Sequence, residues 1–287
     1  MAETLLGFAA ALVAALLFSG GTVLQALDAK QTDDKLALTP GLIARLVRRR
    51  RWLLGTALAI LGWPLQVIAL QLTSITVVQP TLMIGILLLL AAGHRALGEP
   101  IGAREWLAAS AIGIGVAGAV VAAPDRSTDV AEGFIVIAVF GVLAAVVFAP
   151  FIRRPGTPPR QLLVVISAGT GYAFTGLSTK FLGDAMSEAA WAIAGVWLLA
   201  TIVIALFGLM SDMTSLQRWP ATRVAPITFA LETVVPVALA PALTDETVRD
   251  LPGDGLPLLL AIVLVTVGAV VLGRSQAVGA MMEADSR

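Results

Sequence analysis

The 287-residue chain contains no cysteine and only one histidine, His94. The absence of cysteine excludes disulfides and thiolate metal sites, and a lone histidine cannot build a histidine-clustered metal centre. Charged residues are also scarce, at 13% of the chain against 58% hydrophobic residues. A water-soluble domain of this length needs far more charge to cover its surface. The composition therefore indicates a membrane protein, and no motif in it predicts an enzyme, a bound cofactor, a metal site or a nucleic-acid partner.

Long apolar segments fill most of the chain. A helix needs about 20 apolar residues to cross the hydrocarbon core of a bilayer. By this measure the sequence predicts an all-α polytopic membrane protein with nine transmembrane helices, surrounded by lipid. They are expected at residues 4–27, 52–70, 74–93, 106–123, 133–152, 162–182, 189–210, 222–242 and 256–273.

The first connection, residues 28–51, differs from the other, shorter ones. It contains Pro40 and Gly41, then an amphipathic stretch at 42–47, and it ends in four consecutive arginines at 48–51. It fits a solvated loop, an interfacial helix or a short tenth membrane segment, and we favour the interfacial helix.

The distribution of Lys and Arg predicts the orientation. Cytoplasmic loops of membrane proteins carry an excess of these residues. With the N-terminus outside and the C-terminus in the cytoplasm, 16 of the 19 Lys and Arg residues fall on the cytoplasmic side. The preference for Arg and Ala indicates a GC-rich bacterium, so we expect the bacterial inner membrane.

Three sequence matches recur in the same order along the chain, which indicates an internal repeat. They pair residues 18–22 with 174–178, residues 78–80 with 224–226, and residues 118–121 with 268–271. The offsets are 156, 146 and 150, and the predicted topology makes the paired helices run in opposite directions. The sequence thus predicts a first repeat half at 1–123, a linker with a central transmembrane helix at 124–160, and a second, inverted half at 161–287. Inverted repeats are the building plan of many secondary transporters.

The chain resembles the EamA-like members of the drug/metabolite transporter superfamily. The resemblance lies in residues 70–74 and 77–80, the Leu-Gly-Glu-Pro-Ile corner at 97–101, and Trp106 before a glycine-rich helix. It implies secondary transport of a small organic metabolite or drug-like compound by alternating access. EamA-like chains usually have ten spans, whereas the nine predicted here are similar to the NIPA-like magnesium transporters. Divalent-cation transport is therefore an alternative, and a non-transporting membrane scaffold is another.

Ionisable side chains inside a membrane span are costly and usually face a cavity or a partner. Glu232 is the only carboxylate that the predicted spans place well inside the membrane. It is the candidate for proton coupling or for binding a cationic substrate, with pairing to Lys180 or burial against a neighbouring helix as the alternatives. Lys180 lies toward the outer end of its span, where we expect its side chain to snorkel toward the interface.

Further polar and aromatic side chains inside the spans are candidates for binding the substrate. Apart from Glu232, they are Thr22, Gln25, Gln66, Gln79, Tyr172, Ser178 and Thr179. The alternative is structural, because Ser and Thr in helices often bond to their own backbone and Gln can bridge two helices. The sequence leaves open whether the protein is a monomer or a homodimer.

Gly113, Gly115 and Gly118 spell the G-x-G-x-x-G pattern of a dinucleotide site. That fingerprint requires a strand, a turn and a helix in succession, and here the glycines lie within a predicted membrane helix. We interpret them as small residues that allow close helix packing.

Overall fold

A computed structural model describes residues 2–82, 84, 85, 87, 103–121, 133–152, 160–219, 221–243 and 255–273. These ranges form helices and turns and contain no strand. The α-helices are α1 (Ala2–Ala29), α2 (Pro40–Leu46), α3 (Arg50–Leu72), α4 (Ile75–Leu82), α5 (Ala103–Val121), α6 (Gly133–Phe148), α7 (Gln161–Ser187), α8 (Trp191–Arg218), α9 (Ala221–Leu243) and α10 (Leu256–Gly273).

The predicted all-α membrane fold is confirmed at this level. Each predicted membrane segment contains one of these helices, although the second half of the segment at 74–93 lies mostly outside the described residues. Five helices are long and apolar enough to cross a membrane: α1, α3, α6 with its following turn, α7 and α8. The count of nine crossings stays a prediction.

The outer surface is apolar and the interior holds much of the polar chemistry. Phe134 and Ile137 of α6 and Val196 of α8 are all more than 60% exposed. By contrast, Thr179 and Lys180 in the middle of the bundle are almost fully buried. This arrangement suits a protein whose outside meets lipid tails.

The central helix of the bundle is α7, in which nearly every residue between positions 167 and 185 is buried. It packs along α8, and it also contacts α6, α9 and α3. The closest approach of α7 to α8 is glycine against glycine, because a Cβ atom on Gly171 would lie 3.0 Å from the Cα of Gly208. The same device joins α1 to α3, where a Cβ on Gly21 would lie 2.6 Å from the carbonyl oxygen of Gly55.

The contact between α5 and α10 is reciprocal. A Cβ on Gly115 would lie 2.6 Å from the carbonyl oxygen of Ala261, and a Cβ on Gly268 would lie 2.7 Å from the carbonyl oxygen of Ala108. The offset is 153 for both pairs, since 268 − 115 and 261 − 108 each equal 153. The early part of α5 thus meets the late part of α10, so the two helices are antiparallel.

Two of the three glycines in the G-x-G-x-x-G pattern serve helix packing, as predicted. Gly115 and Gly118 face α10, whereas Gly113 has no neighbouring atom within 4 Å of its Cβ position. The decisive glycine in α7 is Gly171, and not Gly176, which the sequence match aligns with Gly20. By their role in packing, Gly21 in the first half and Gly171 in the second are therefore corresponding positions, 150 residues apart.

The connection at 28–51 is neither a solvated loop nor a tenth membrane segment. Helix α2 has seven residues and is about 10 Å long at 1.5 Å per residue, far short of the bilayer core. Leu42 and Leu46 on it are fully buried against Trp52 of α3 and Met213 of α8. The segment is therefore a short helix that caps one end of the bundle.

The reciprocal contact predicts unequal effects of adding one methyl group to two glycines of α5. Gly115→Ala must push α5 away from the α10 backbone, so we expect a loss of about 1–3 kcal/mol in stability. Gly113→Ala adds a methyl group in open space and is the matched control, expected to cause little change. Unfolding temperatures in detergent measure both, and Gly268→Ala should match Gly115→Ala. Equal behaviour of the Gly113 and Gly115 variants would contradict the packing described.

Candidate functional site

Three acidic or phenolic side chains meet inside the bundle. The Tyr172 hydroxyl of α7 donates a hydrogen bond to the Asp212 carboxylate of α8 at 2.8 Å. Asp212 is only 4% exposed. The Glu232 carboxyl of α9 lies within electrostatic range of both. Tyr172 and Glu232 are each partly exposed.

Helix α4 contains a proline close to its contact with α9. Pro80 lacks an N–H, and after Leu82 the Ile84 N–H bonds to the Thr81 carbonyl in a tight turn. The Gln79 carbonyl accepts a hydrogen bond from the Thr233 hydroxyl of α9 at 3.3 Å.

The side-chain amide of Gln79 is fully buried, and neither its oxygen nor its nitrogen has a hydrogen-bond partner among the described residues. It lies against Gly176 of α7, where a Cβ atom would have no room. An unpaired buried polar group costs about 1–3 kcal/mol, so such groups usually serve a purpose beyond folding.

Gln79, Tyr172 and Glu232 lie on three neighbouring helices, α4, α7 and α9. Gly176, which contacts the Gln79 amide, follows Tyr172 by one helical turn, and Thr233, which bonds to the Gln79 carbonyl, follows Glu232 in sequence. Tyr172 and Glu232 thus lie within electrostatic range of each other, and Gln79 lies against the same two helices.

Three other predicted residues form hydrogen bonds between helices. The Gln25 amide of α1 donates to the Thr56 hydroxyl of α3 at 3.1 Å. Ser178 shares a hydrogen bond of 2.8 Å with Thr201 of α8. Thr179 accepts from the Trp63 indole N–H of α3 at 2.9 Å. Their role in substrate binding stays a prediction, since these bonds are those of the structural alternative.

Of the remaining two, Thr22 donates to the Phe18 carbonyl of its own helix at 3.0 Å and is partly exposed. Gln66 is buried in α3 at 6% exposure. Neither lies in a contact that joins it to the acidic cluster.

Sequence reasoning missed Asp212. The apolar run of its helix weakens after residue 210, which placed the aspartate in a loop, whereas α8 continues to Arg218 and buries it. Asp28 and Asp184 are also buried, at 5% exposure each, so Glu232 is not the only carboxylate inside the long helices. A spacing signal existed for Asp184, because it lies four residues after Lys180 on the same helix face.

Lys180 does not snorkel. Its side chain is 2% exposed and its ammonium group lies 3.5 Å from the Asp184 carboxylate. The Gln71 amide of α3 also donates to Asp184 at 3.5 Å. The ion pair within α7 and the hydrogen bond from α3 offset part of the free-energy cost of burying these two charges.

Asp28 plays a related part at the opposite end of the bundle. Its carboxylate accepts a hydrogen bond from the Trp52 backbone N–H at 3.0 Å and lies 3.3 Å from the Arg49 guanidinium. It therefore caps the first turn of α3 from the neighbouring helix α1.

The apolar exterior, the long apolar helices and the buried polar interior define a membrane-embedded α-helical protein. Comparison of the chain with protein-family models, with characterised proteins and with solved structures finds no match. Within the described ranges, no three His, Asp or Glu side chains lie close enough together to hold a metal ion.

The unpaired Gln79 amide predicts a stability gain on its removal. Gln79→Met keeps the volume but deletes the unpaired polar atoms, so we expect the free protein to gain about 1–3 kcal/mol. Gln71→Met is the matched control, since it deletes the hydrogen bond to Asp184 and should lower stability. The measurement is the unfolding temperature in detergent. A loss at Gln79 as large as that at Gln71 would show that the amide is structurally satisfied.

Proposed function

We propose that the chain is a secondary transporter of a small, positively charged organic solute, working by alternating access with proton coupling through Glu232. The observation that carries this is the reciprocal packing of α5 on α10, in which each contact recurs with the partners exchanged. Such reciprocity is what a twofold axis in the membrane plane produces. It agrees with the inverted repeat that the sequence predicts, although the packing offset is 153 and the sequence match in these helices has an offset of 150.

An inverted repeat makes two opposite states nearly equal in energy. Whatever contacts close one end of the bundle have counterparts able to close the other end, so a small bias exchanges the two. The glycine-on-glycine contacts that recur in α1–α3 and α7–α8 agree with this repetition.

The acidic cluster favours a positively charged ligand. Asp212 and Glu232 repel each other when both are ionised, and either a bound cation or a proton relieves that repulsion. Exchange of one for the other would couple solute movement to a proton gradient. The Tyr172 hydroxyl and the Gln79 amide supply the hydrogen bonds that orient an organic ligand.

The positions of the arginine-rich segments support the predicted orientation of the chain in the membrane. Leu38 in the 28–51 connection donates its N–H to Thr214 of α8 at 3.0 Å, and Gln161 at the start of α7 donates to the Ser215 carbonyl at 3.0 Å. The arginine-rich parts of the chain therefore gather at one end. The positive-inside rule assigns that end to the cytoplasm and the N-terminus to the outside of a bacterial inner membrane.

Transport in proteoliposomes with an imposed pH gradient tests the proposal. We expect a library of organic cations to yield at least one solute whose uptake follows the gradient. Glu232→Gln and Asp212→Asn should reduce that uptake at least tenfold. Glu3→Gln, which alters an exposed carboxylate at the start of α1, is the control and should transport normally.

Other outcomes of the same assay separate the alternatives. Uptake of Mg²⁺ without any organic solute would favour a NIPA-like function. Full activity of Glu232→Gln would remove proton coupling from that residue. If no solute is transported and none shifts the unfolding temperature, a scaffold function would replace the proposal.

The absence of cysteine makes topology directly testable. Lys35 and Glu188 are exposed, and they lie in connections that the topology assigns to opposite sides of the membrane. In intact cells, a membrane-impermeant thiol reagent should label Glu188→Cys, and it should label Lys35→Cys only after permeabilisation. Labelling of both from the same side would exclude the inverted arrangement.

A further inference from the structure

Four arginines form an exposed basic patch where α2 ends and α3 begins. The patch consists of Arg45, Arg48, Arg50 and Arg51, and all four side chains are exposed. None of them makes an ion pair or a side-chain hydrogen bond with a described residue. The fifth arginine of this run, Arg49, differs because it is turned inward to Asp28 and Gln31.

The surface next to the basic patch is apolar. Val47 is 41% exposed, and in the first turn of α3 Leu53 and Leu54 are 46% and 60% exposed. Leu53 and Leu54 lie three and four residues after Arg50, so they share its helix face. In a bilayer that α3 crosses, the guanidinium groups would lie at the level of the lipid headgroups and the leucines one turn deeper, at the level of the acyl chains.

The other face of the same segment is fixed to the bundle. Leu42 and Leu46 of α2 are buried against α8 and the start of α3, and the Trp52 indole N–H contacts the Met213 sulfur at 3.4 Å. Whatever binds the basic patch therefore strengthens a contact between helices of both predicted halves.

We propose that the basic patch binds the headgroups of anionic phospholipids and thereby stabilises the α2 cap on the bundle. Guanidinium groups pair with phosphate through two parallel hydrogen bonds, which makes arginine the preferred residue for such headgroups. The adjoining leucines favour a lipid over a soluble polyanion, because only a lipid brings an acyl chain to cover them. This inference does not depend on what the protein transports.

The test is a titration of the detergent-purified full chain with short-chain phosphatidylglycerol, followed by its unfolding temperature. We expect phosphatidylglycerol to raise the unfolding temperature, while short-chain phosphatidylcholine leaves it nearly unchanged. Each arginine near an anionic surface contributes about fivefold in affinity. The variant in which all four patch arginines become Gln should therefore bind more than about a hundredfold more weakly.

Two control variants separate charge from folding. Replacement of the four patch arginines by Lys keeps the charge and should retain most of the lipid effect. Arg49→Gln removes the inward-facing arginine, so we expect a lower starting temperature but an undiminished rise with phosphatidylglycerol.

Three results would overturn the proposal. They are an equal rise with phosphatidylcholine, a rise that survives in the four-Gln variant, and an equal rise with inorganic phosphate alone. None of these readouts requires a transported solute, so failure here and failure of the transport assay can be told apart.

Discussion

The closeness of the helix backbones is the constraint on which this structure depends. In a bilayer, lipid tails are as apolar as leucine, so helices gain little by hiding apolar side chains from lipid. Helices are instead held together by short-range contact between their backbones. Such contact requires residues without a large side chain where two helices cross. Gly21 on Gly55, Gly171 on Gly208, and Gly115 on the α10 backbone each meet this need. The same contacts give the bundle its repeated pattern.

Few polar side chains fit between closely packed helices, and those present fall into two sets. Several hydroxyls and amides join neighbouring helices, as Ser178 does with Thr201 and Gln25 with Thr56, and many other hydroxyls bond to their own helix. A smaller set, at the junction of α4, α7 and α9, is not used for such hydrogen bonds between helices. The unpaired amide of Gln79 and the partly exposed Glu232 belong to this second set, which explains why that junction is the candidate site.

The helices could be predicted from the sequence because each apolar run is long and bounded by charge, Pro or Gly. Their ends were less predictable, and the error that mattered was at α8. Its last two turns are polar, and only contact with Tyr172 and the buried face of α7 shows that Asp212 lies inside. Likewise, nothing in the sequence around Lys180 reveals that α3 would cover it. Glu232 and Gln79 were predictable because they interrupt apolar runs, whereas their partners belong to other helices.

Each end of helix α3 contacts an aspartate of a neighbouring helix. At its start, Asp28 of the adjacent α1 accepts a hydrogen bond from the Trp52 N–H and pairs with Arg49. These two contacts join α1 to α3. At its far end, Asp184 of α7 accepts a hydrogen bond from Gln71 at 3.5 Å, and the Trp63 indole bonds to Thr179 of α7. The far end of α3 is thus joined to an ion pair that belongs to α7. A change in the charge of either Lys180 or Asp184 would therefore act directly on the contact between α3 and α7.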